Sequence, residues 1–116
     1  HNDSPFTPID PLLSMGVSIT RKSKYGAVLG PGEAVTVEQA IRAFTMGNAH
    51  LAFEEDMKGS LTAGKLGDVT ILEENPYKVP AEEIKDIDVA MTISGGEVVY
   101  AKSGGYLLNN IKKATR

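Results

Sequence analysis

Apolar residues recur at helical spacing in the first half of the chain and alternate with polar residues in the second half. Thr36 and Gln39 form a capping box, in which each side chain can bond a backbone N–H left unpaired at a helix start. We predict a helix that begins there and runs from Val37 to about Phe53. Its apolar positions follow the i, i+3, i+4, i+7 spacing of an amphipathic face: Val37, Ala40, Ile41 and Phe44.

A shorter helix is predicted from Pro11 to about Arg21. Asp10 is suited to the N-cap, and Pro11 to the first helical position, where an N–H would have no partner. The Gly- and Pro-rich stretch from Lys22 to Val35 then predicts a surface loop. Apolar residues surround the axis of the shorter helix, which predicts burial on several sides: Leu12, Leu13, Met15, Val17 and Ile19.

Strand patterns follow in the second half of the chain. Residues 68–72 form a short β-rich run, and residues 80–85 could form a single helical turn. Residues 87–94 alternate apolar and polar side chains, and Gly95-Gly96 joins them to residues 97–101 as a two-residue hairpin. We expect one face of this hairpin to be buried and the other to be partly solvated.

These patterns predict an α+β chain with its main boundary near Met57. Residues 1–56 are assigned to the helical part, residues 57–101 to the sheet and residues 102–116 to a tail. The tail carries a short apolar cluster suited to docking against the sheet or against a neighbouring molecule: Tyr106, Leu107, Leu108 and Ile111.

Composition excludes several classes of function. Cysteine is absent, so a metal would depend on His, Asp and Glu, and the chain has two histidines, His1 and His50. A net charge of -3, with Lys and Arg scattered among acids, argues against a nucleic-acid partner. No apolar run approaches the length of a membrane span and the start does not resemble a signal peptide, so we expect a cytoplasmic protein without a membrane partner.

Candidate chemistry is sparse. Gly59 to Lys65 matches the phosphate-binding G-x-x-x-x-G-K pattern, but Leu66 stands where magnesium needs a hydroxyl, so we interpret the glycines as turn residues. His1 and Asp3 are two positions apart and could share a metal or a water, although an Asp before Ser-Pro could equally cap a loop. His50 and the acidic run 54–56 are interpreted as solvated surface near a helix end.

Several segments together resemble the amidohydrolase superfamily, most closely the branch with N-substituted formamide deformylases. The resemblance covers the chain from His1 to about Ala101 and does not include the tail. Where the usual motif has Ala, this chain has Gly67. The matching segments are HNDSP at 1–5, PLL at 11–13, TR at 20–21, TVEQAIRA at 36–43, EEDMKGSLTAGKLGDV at 54–69, NP at 75–76 and VAMTISGGEVVY at 89–100.

The resemblance implies a fold that the chain can form only in part. Family members are TIM-like barrels with active-site residues at the C-terminal strand ends, accompanied by a small β-sandwich built from both chain termini. This chain would hold the last βα unit of the barrel and the C-terminal half of the sandwich. A closed barrel takes about 250 residues, so this chain alone would leave strand edges unpaired. We therefore expect either that the chain associates into a homo-oligomer or that an N-terminal portion of the protein is missing.

The resemblance also implies a reaction and one site residue. Asp3 corresponds to the aspartate that ends the last barrel strand, touches the metal-bound water and carries its proton to the leaving amine. The other ligands of the divalent metal, with zinc expected, belong to earlier strands absent from this chain. We therefore expect a hydrolase for a C–N bond of a small amide-type molecule, inactive as this chain alone and without a tightly bound metal.

Two other interpretations stay open. The segment could be a non-catalytic domain that oligomerises or binds a partner, with its first helix covered by another subunit. It could also be one half of a split hydrolase whose activity appears when two chains are mixed.

Overall fold

A computed structural model describes residues 5–102 of the chain. Helix α1 spans Pro11–Thr20, and a single 3-10 turn, Pro31–Glu33, follows. The second helical stretch consists of α2, Val37–Arg42, a π-helical segment, Ala43–Gly47, and α3, Asn48–Leu51. A three-stranded sheet completes the chain with β1, Val69–Leu72, the 3-10 segment Ala81–Asp86, β2, Val89–Ser94, and β3, Glu97–Ala101.

Helix α1 begins and ends with bonds that its sequence provides. The Asp10 carboxylate accepts a hydrogen bond of 3.1 Å from the N–H of Leu13, and Pro11 occupies the first turn. At the other end Arg21 adopts a left-handed conformation with φ 56°, and its N–H donates to the Val17 carbonyl at 2.8 Å. The predicted helix and its N-cap are therefore confirmed.

The second helical stretch differs from the single α-helix predicted to Phe53. Thr36 and Gln39 form both capping-box bonds, at 3.1 and 2.9 Å, so the predicted start is confirmed. The prediction was wrong in the middle, where the π-helical segment interrupts the α-helix, and at the end, which falls at Leu51. Thr45 donates its hydroxyl to the Ile41 carbonyl at 2.8 Å, a side-chain bond that competes with the regular backbone ladder.

The sheet is antiparallel with β2 at its centre. Strand β1 pairs with β2 through Val69 opposite Ile93, and β2 pairs with β3 through Ser94 opposite Glu97. The Gly95-Gly96 hairpin is confirmed, and both glycines have positive φ, which the two-residue turn requires. Buried Met91 lies on the predicted inner face of β2. The prediction that one face of the hairpin is buried was wrong for β3, where Val98, Val99 and Tyr100 are all exposed.

The segment before β1 is fastened to the hairpin turn. Asp68, predicted to start the strand, instead lies just outside it and accepts a 2.7 Å bond from the N–H of Gly95. The N–H of Gly96 donates to the Gly67 carbonyl at 3.0 Å. The two backbones are so close that a Cβ on Gly67 would lie 3.1 Å from the Gly96 nitrogen.

The core forms where α1 meets the second helical stretch and the 3-10 segment before β2. Its buried members come from all of these elements, and Ile84 is 1% exposed. Residues 5–102 bury Leu12 and Met15 of α1 but leave Val17 44% exposed, so burial of α1 on several sides stays a prediction that needs further protein. The buried cluster consists of Leu12, Met15, Ala40, Ile84 and Ile87.

The fold is therefore a small α+β structure with a three-stranded antiparallel sheet, as the sequence predicted. No helix among residues 5–102 is long and apolar enough to cross a membrane. The candidate site residues His1 and Asp3 and the apolar cluster of the tail lie outside the described residues.

We predict that Gly59→Ala destabilises the chain by about 2 kcal/mol or more, measured by urea unfolding. Gly59 has φ 90°, and a Cβ there would lie 2.8 Å from the Cβ of Ala49. The matched control is Gly64→Ala, which has φ 93° but no atom within 4 Å of the new Cβ. It should cost only the backbone strain of about 1 kcal/mol. Equal losses in the two variants would contradict the contact between Gly59 and the helix.

Candidate functional site

The predicted site residues do not come together within the described part of the chain. Asp3 and His1 lie outside residues 5–102. His50 projects from α3 with 74% of its side chain exposed, and its Nδ1 lies 2.9 Å from Glu55 Oε1. Between residues 5 and 102, no group of three or more His, Cys, Asp or Glu side chains is placed to hold a metal ion. These residues therefore do not fit a resident metal by themselves.

The acidic run after α3 is held by local ion pairs. Glu54 pairs with Lys58 at 2.6 Å, and Glu55 pairs with His50. A backbone N–H bond at Glu55 and, next, the His50 ring hold the pKa of the Glu55 carboxyl below its ordinary value. Asp56 is exposed to solvent. Because both paired carboxylates are engaged at the surface, the run does not form a general acid and base.

The G-x-x-x-x-G-K segment holds a loop together and does not face a phosphate. Gly59 and Gly64 have φ values of 90° and 93°, as turn residues do. The Lys65 ammonium donates to the backbone carbonyls of Glu55 and Lys58, the latter at 3.3 Å. Its Nζ also lies 3.9 Å from Met46 Sδ. Lys65 thus joins the loop after α3 to the π-helical segment, in agreement with the rejection of a phosphate site.

A second cluster of charges joins the ends of the three strands. Lys102 Nζ lies 2.8 Å from Asp88 Oδ2 and 2.9 Å from Glu73 Oε2. The bond to Asp88 and then that to Glu73 raise the pKa of Lys102 well above its ordinary value. These three residues follow β1, precede β2 and follow β3, so the cluster fixes the strand ends and has no catalytic arrangement.

A groove separates the second helical stretch from the sheet. Its volume is about 750 Å³, within the usual range for ligand sites. The walls are mostly apolar, while Glu54, Lys58 and Asp68 stand among the lining residues. Half-buried apolar side chains from both sides form its interior: Ile41, Phe44, Val69 and Ile93. The groove can bind an apolar segment, and it lacks a nucleophile paired with a base.

The sequence interpretation did not identify this groove. Its walls come from residues 41–61 and residues 68–94, and their relative placement depends on the turn between them. The sequence contained a partial signal for the groove, namely the glycine at position 59. Gly59 adopts a positive φ, which allows the loop to contact Ala49 closely. The sequence patterns assign the apolar residues of the groove to separate helix and strand faces and do not indicate a cavity between them.

Comparison with known proteins gives a family. The sequence profile of the Amidohydrolase family matches residues 1–100. The chain belongs to the amidohydrolase family. The profile covers α1, the second helical stretch, β1, β2 and nearly all of β3.

Curated relatives agree with the family and are much longer than the chain. The amidohydrolase YtcJ of Bacillus subtilis is 30% identical over 105 residues, which are 88% of this chain and 20% of that protein. An N-substituted formamide deformylase of Arthrobacter pascens is 30% identical over 103 residues, 89% of this chain and 19% of that enzyme. The chain thus spans about a fifth of the length of these relatives.

The similarity extends beyond these two proteins. An imidazolonepropionase of Porphyromonas gingivalis is 38% identical over 69 residues, 60% of this chain and 16% of that enzyme. No solved structure matches the chain. The amidohydrolase family is generally metal-dependent, whereas residues 5–102 of this member hold no metal-binding group of side chains.

We predict that Lys65→Met destabilises the chain by about 1–2 kcal/mol, because two carbonyls lose a charged donor. Thermal unfolding followed by circular dichroism measures the effect. Lys24→Met is the matched control, since Lys24 is exposed in the loop after α1. An equal and small shift in both variants would show that Lys65 does not hold the loop.

We predict that Glu55 contributes to acid stability. Its pKa is lowered in the folded chain, so its contribution is present above the ordinary value of 4.5 and is lost as pH falls through the folded pKa. Glu55→Gln should therefore lose less stability than the parent between about pH 5 and pH 3. Urea midpoints at several pH values measure this. Identical pH profiles would contradict the lowered pKa of Glu55.

Proposed function

We propose that this chain forms the C-terminal part of a hydrolase that cleaves a C–N bond in a small amide-type molecule. The observation that supports it is the match of the Amidohydrolase family over residues 1–100. The chain spans about a fifth of the relatives' length, and residues 5–102 hold no group of metal ligands. In this proposal most of the active site comes from other residues, and residues 1–116 show no turnover alone.

The proposed position in the whole protein is the last βα unit of a TIM-like barrel together with half of a β-sandwich. The order of elements supports it, because helices fill the first half and an antiparallel sheet the second. Within residues 5–102, β1 and β3 each pair with a single neighbour, which leaves each of them an edge for further strands.

Asp3 is the proposed catalytic residue. Its carboxylate takes a proton from the attacking water and passes it to the leaving nitrogen as the C–N bond breaks, which requires an ionised Asp near neutral pH. The proposed divalent metal, with zinc expected, would be held by Asp3 together with ligands from outside residues 5–102. The described residues do not fit that ion, so they support the site without binding it.

The substrate class is proposed from the relatives. One of them is named for acting on N-substituted formamides, so formamides and other small amides form the first panel to test. The net charge of -3 fits a small-molecule substrate better than a nucleic acid. A cytoplasmic location stays a prediction from the sequence.

The alternative is a non-catalytic domain that associates through its surface. Large apolar side chains with more than three-quarters of their area exposed favour it: Phe6, Ile9, Tyr25, Leu51, Phe53 and Leu61. In the complete hydrolase the same side chains would contact the rest of the protein. A stable homo-oligomer of residues 1–116 that folds cooperatively, combined with no activity in the longer protein, would favour the association domain.

We predict that Asp3→Asn in the complete hydrolase lowers kcat on the active formamide or amide by at least about 100-fold, because the proton carrier is lost. Amine release measures turnover. The matched control is Asp10→Asn, which retains the N-cap of α1 and should keep activity within about twofold. Unchanged turnover in Asp3→Asn would overturn the assignment of Asp3. The proposal that the chain is part of a hydrolase would be overturned if no upstream polypeptide, either fused to this chain or added as a separate chain, produces turnover.

A further inference from the structure

We infer that the groove between the second helical stretch and the sheet is the binding site for the tail of this same chain, through the apolar side chains of residues 106–111. This inference concerns binding within the chain and does not rest on the proposed hydrolysis.

The groove needs an apolar occupant. Ile41 and Phe44 on the helical side face Val69 and Ile93 on the sheet side across a cavity of about 750 Å³. All four side chains are only half-buried by residues 5–102. Covering them with apolar side chains would be favourable, because each square ångström of apolar surface removed from water stabilises by about 25 cal/mol.

The tail has the matching side chains at suitable spacing. Leu107, Leu108 and Ile111 lie at i, i+1 and i+4, which places them on one side if the segment is helical. On a helix Tyr106 would lie about 100° from Leu107, so the apolar side consists of the other three residues. Asn109 and Lys113 would fall on the opposite side, which is polar.

Charge favours this occupant. The tail beyond Lys102 carries Lys112, Lys113 and Arg116 and no acid. The rest of the chain has nine Lys and Arg against fifteen Asp and Glu. At the groove, Glu54 and Asp68 are among the lining residues with Lys58 as the cation, and exposed Asp56 follows nearby in sequence. Lys58 pairs with Glu54, so Asp68 is the lining acid without a cation partner in the lining. A basic segment is attracted to this carboxylate and to the net negative charge of the rest of the chain.

The tail leaves the sheet close to the groove. The N–H of Lys102 donates to the Ala90 carbonyl at 3.0 Å, which fixes where the chain leaves the sheet. The sheet wall of the groove begins two residues along β2, at Thr92. Because a strand rises about 3.3 Å per residue, Thr92 lies about 7 Å along β2 from Ala90, and Lys102 is a further strand spacing of about 5 Å to the side. Ser103, Gly104 and Gly105 can span this distance and reverse direction, since two glycines allow backbone turns that other residues resist.

Disulfide trapping in the full 116-residue chain tests the inference, and the absence of cysteine removes any background. The test pair is Thr45→Cys, at the groove, with Asn110→Cys in the tail. The control pair is Val99→Cys with Asn110→Cys. Val99 is 62% exposed on β3, outside the groove and close to the attachment point. An undirected tail would therefore react at least as fast with the control site.

The expected result is intramolecular disulfide formation at least about 10-fold faster for the groove pair than for the control pair, measured by mass at low protein concentration. Equal rates, or a faster control pair, would overturn the inference. Disulfides between two chains would also overturn it, in favour of a second copy in the groove.

A second pair of variants, both in the tail, separates an effect on tail binding from an effect on folding. Leu108→Asp added to the groove pair should reduce its rate to that of the control pair, because a carboxylate would enter an apolar cavity. Asn109→Asp adds the same charge at a polar position and should leave the rate within about twofold. Neither residue belongs to the core cluster of Leu12, Met15, Ala40, Ile84 and Ile87. Equal effects of the two substitutions would contradict insertion of the apolar side.

Discussion

The packing of α1 against the 3-10 segment Ala81–Asp86 is the contact on which the rest of the structure depends. It joins residues about 70 positions apart and places Ile84, which is 1% exposed, beside Leu12 and Met15. Gly16 lies at this contact, where a Cβ would be 3.5 Å from the Cβ of Lys85, an ordinary van der Waals distance. Without this contact, the helical half and the sheet would be connected mainly by the loop around Lys65, and a chain of this size has little other core to compensate.

Local signals in the sequence predicted the elements well. The Asp10 cap, the Thr36 capping box and the Gly95-Gly96 turn each act through bonds to residues at most a few positions away, so the sequence pattern contains all that is needed. The π-helical segment was missed because helix propensity and apolar spacing do not distinguish it from an α-helix. The bond from Thr45 to the Ile41 carbonyl does not by itself explain it, since Thr20 makes the same bond to Gly16 in α1, which stays α-helical. The groove was missed because its two walls are far apart in sequence.

The candidate site could be predicted from the sequence less fully than the helices and strands. Asp3 was identified through resemblance to a family, and neither spacing nor charge would have selected it over a loop-capping aspartate. The role of Lys65 was only half predicted: the phosphate pattern was rejected from Leu66, but the carbonyl partners of the ammonium depend on how the loop folds back. In the proposed hydrolase the site is assembled from distant strands, and such a site would leave little trace in a short segment.

Gly67 contacts the hairpin turn, so the amino acid at position 67 and the turn residues 95–96 constrain each other in sequence. A Cβ at position 67 would lie 3.1 Å from the Gly96 nitrogen and 3.2 Å from its Cα, so an alanine there requires the turn to move by a few tenths of an ångström. The resemblance to the family motif predicts an alanine at this position, where this chain has glycine. Substitutions at 67 and at 95–96 should therefore be inherited together in closely related sequences, and a turn transplanted from a relative with Ala at this position would fit only with its own residue 67.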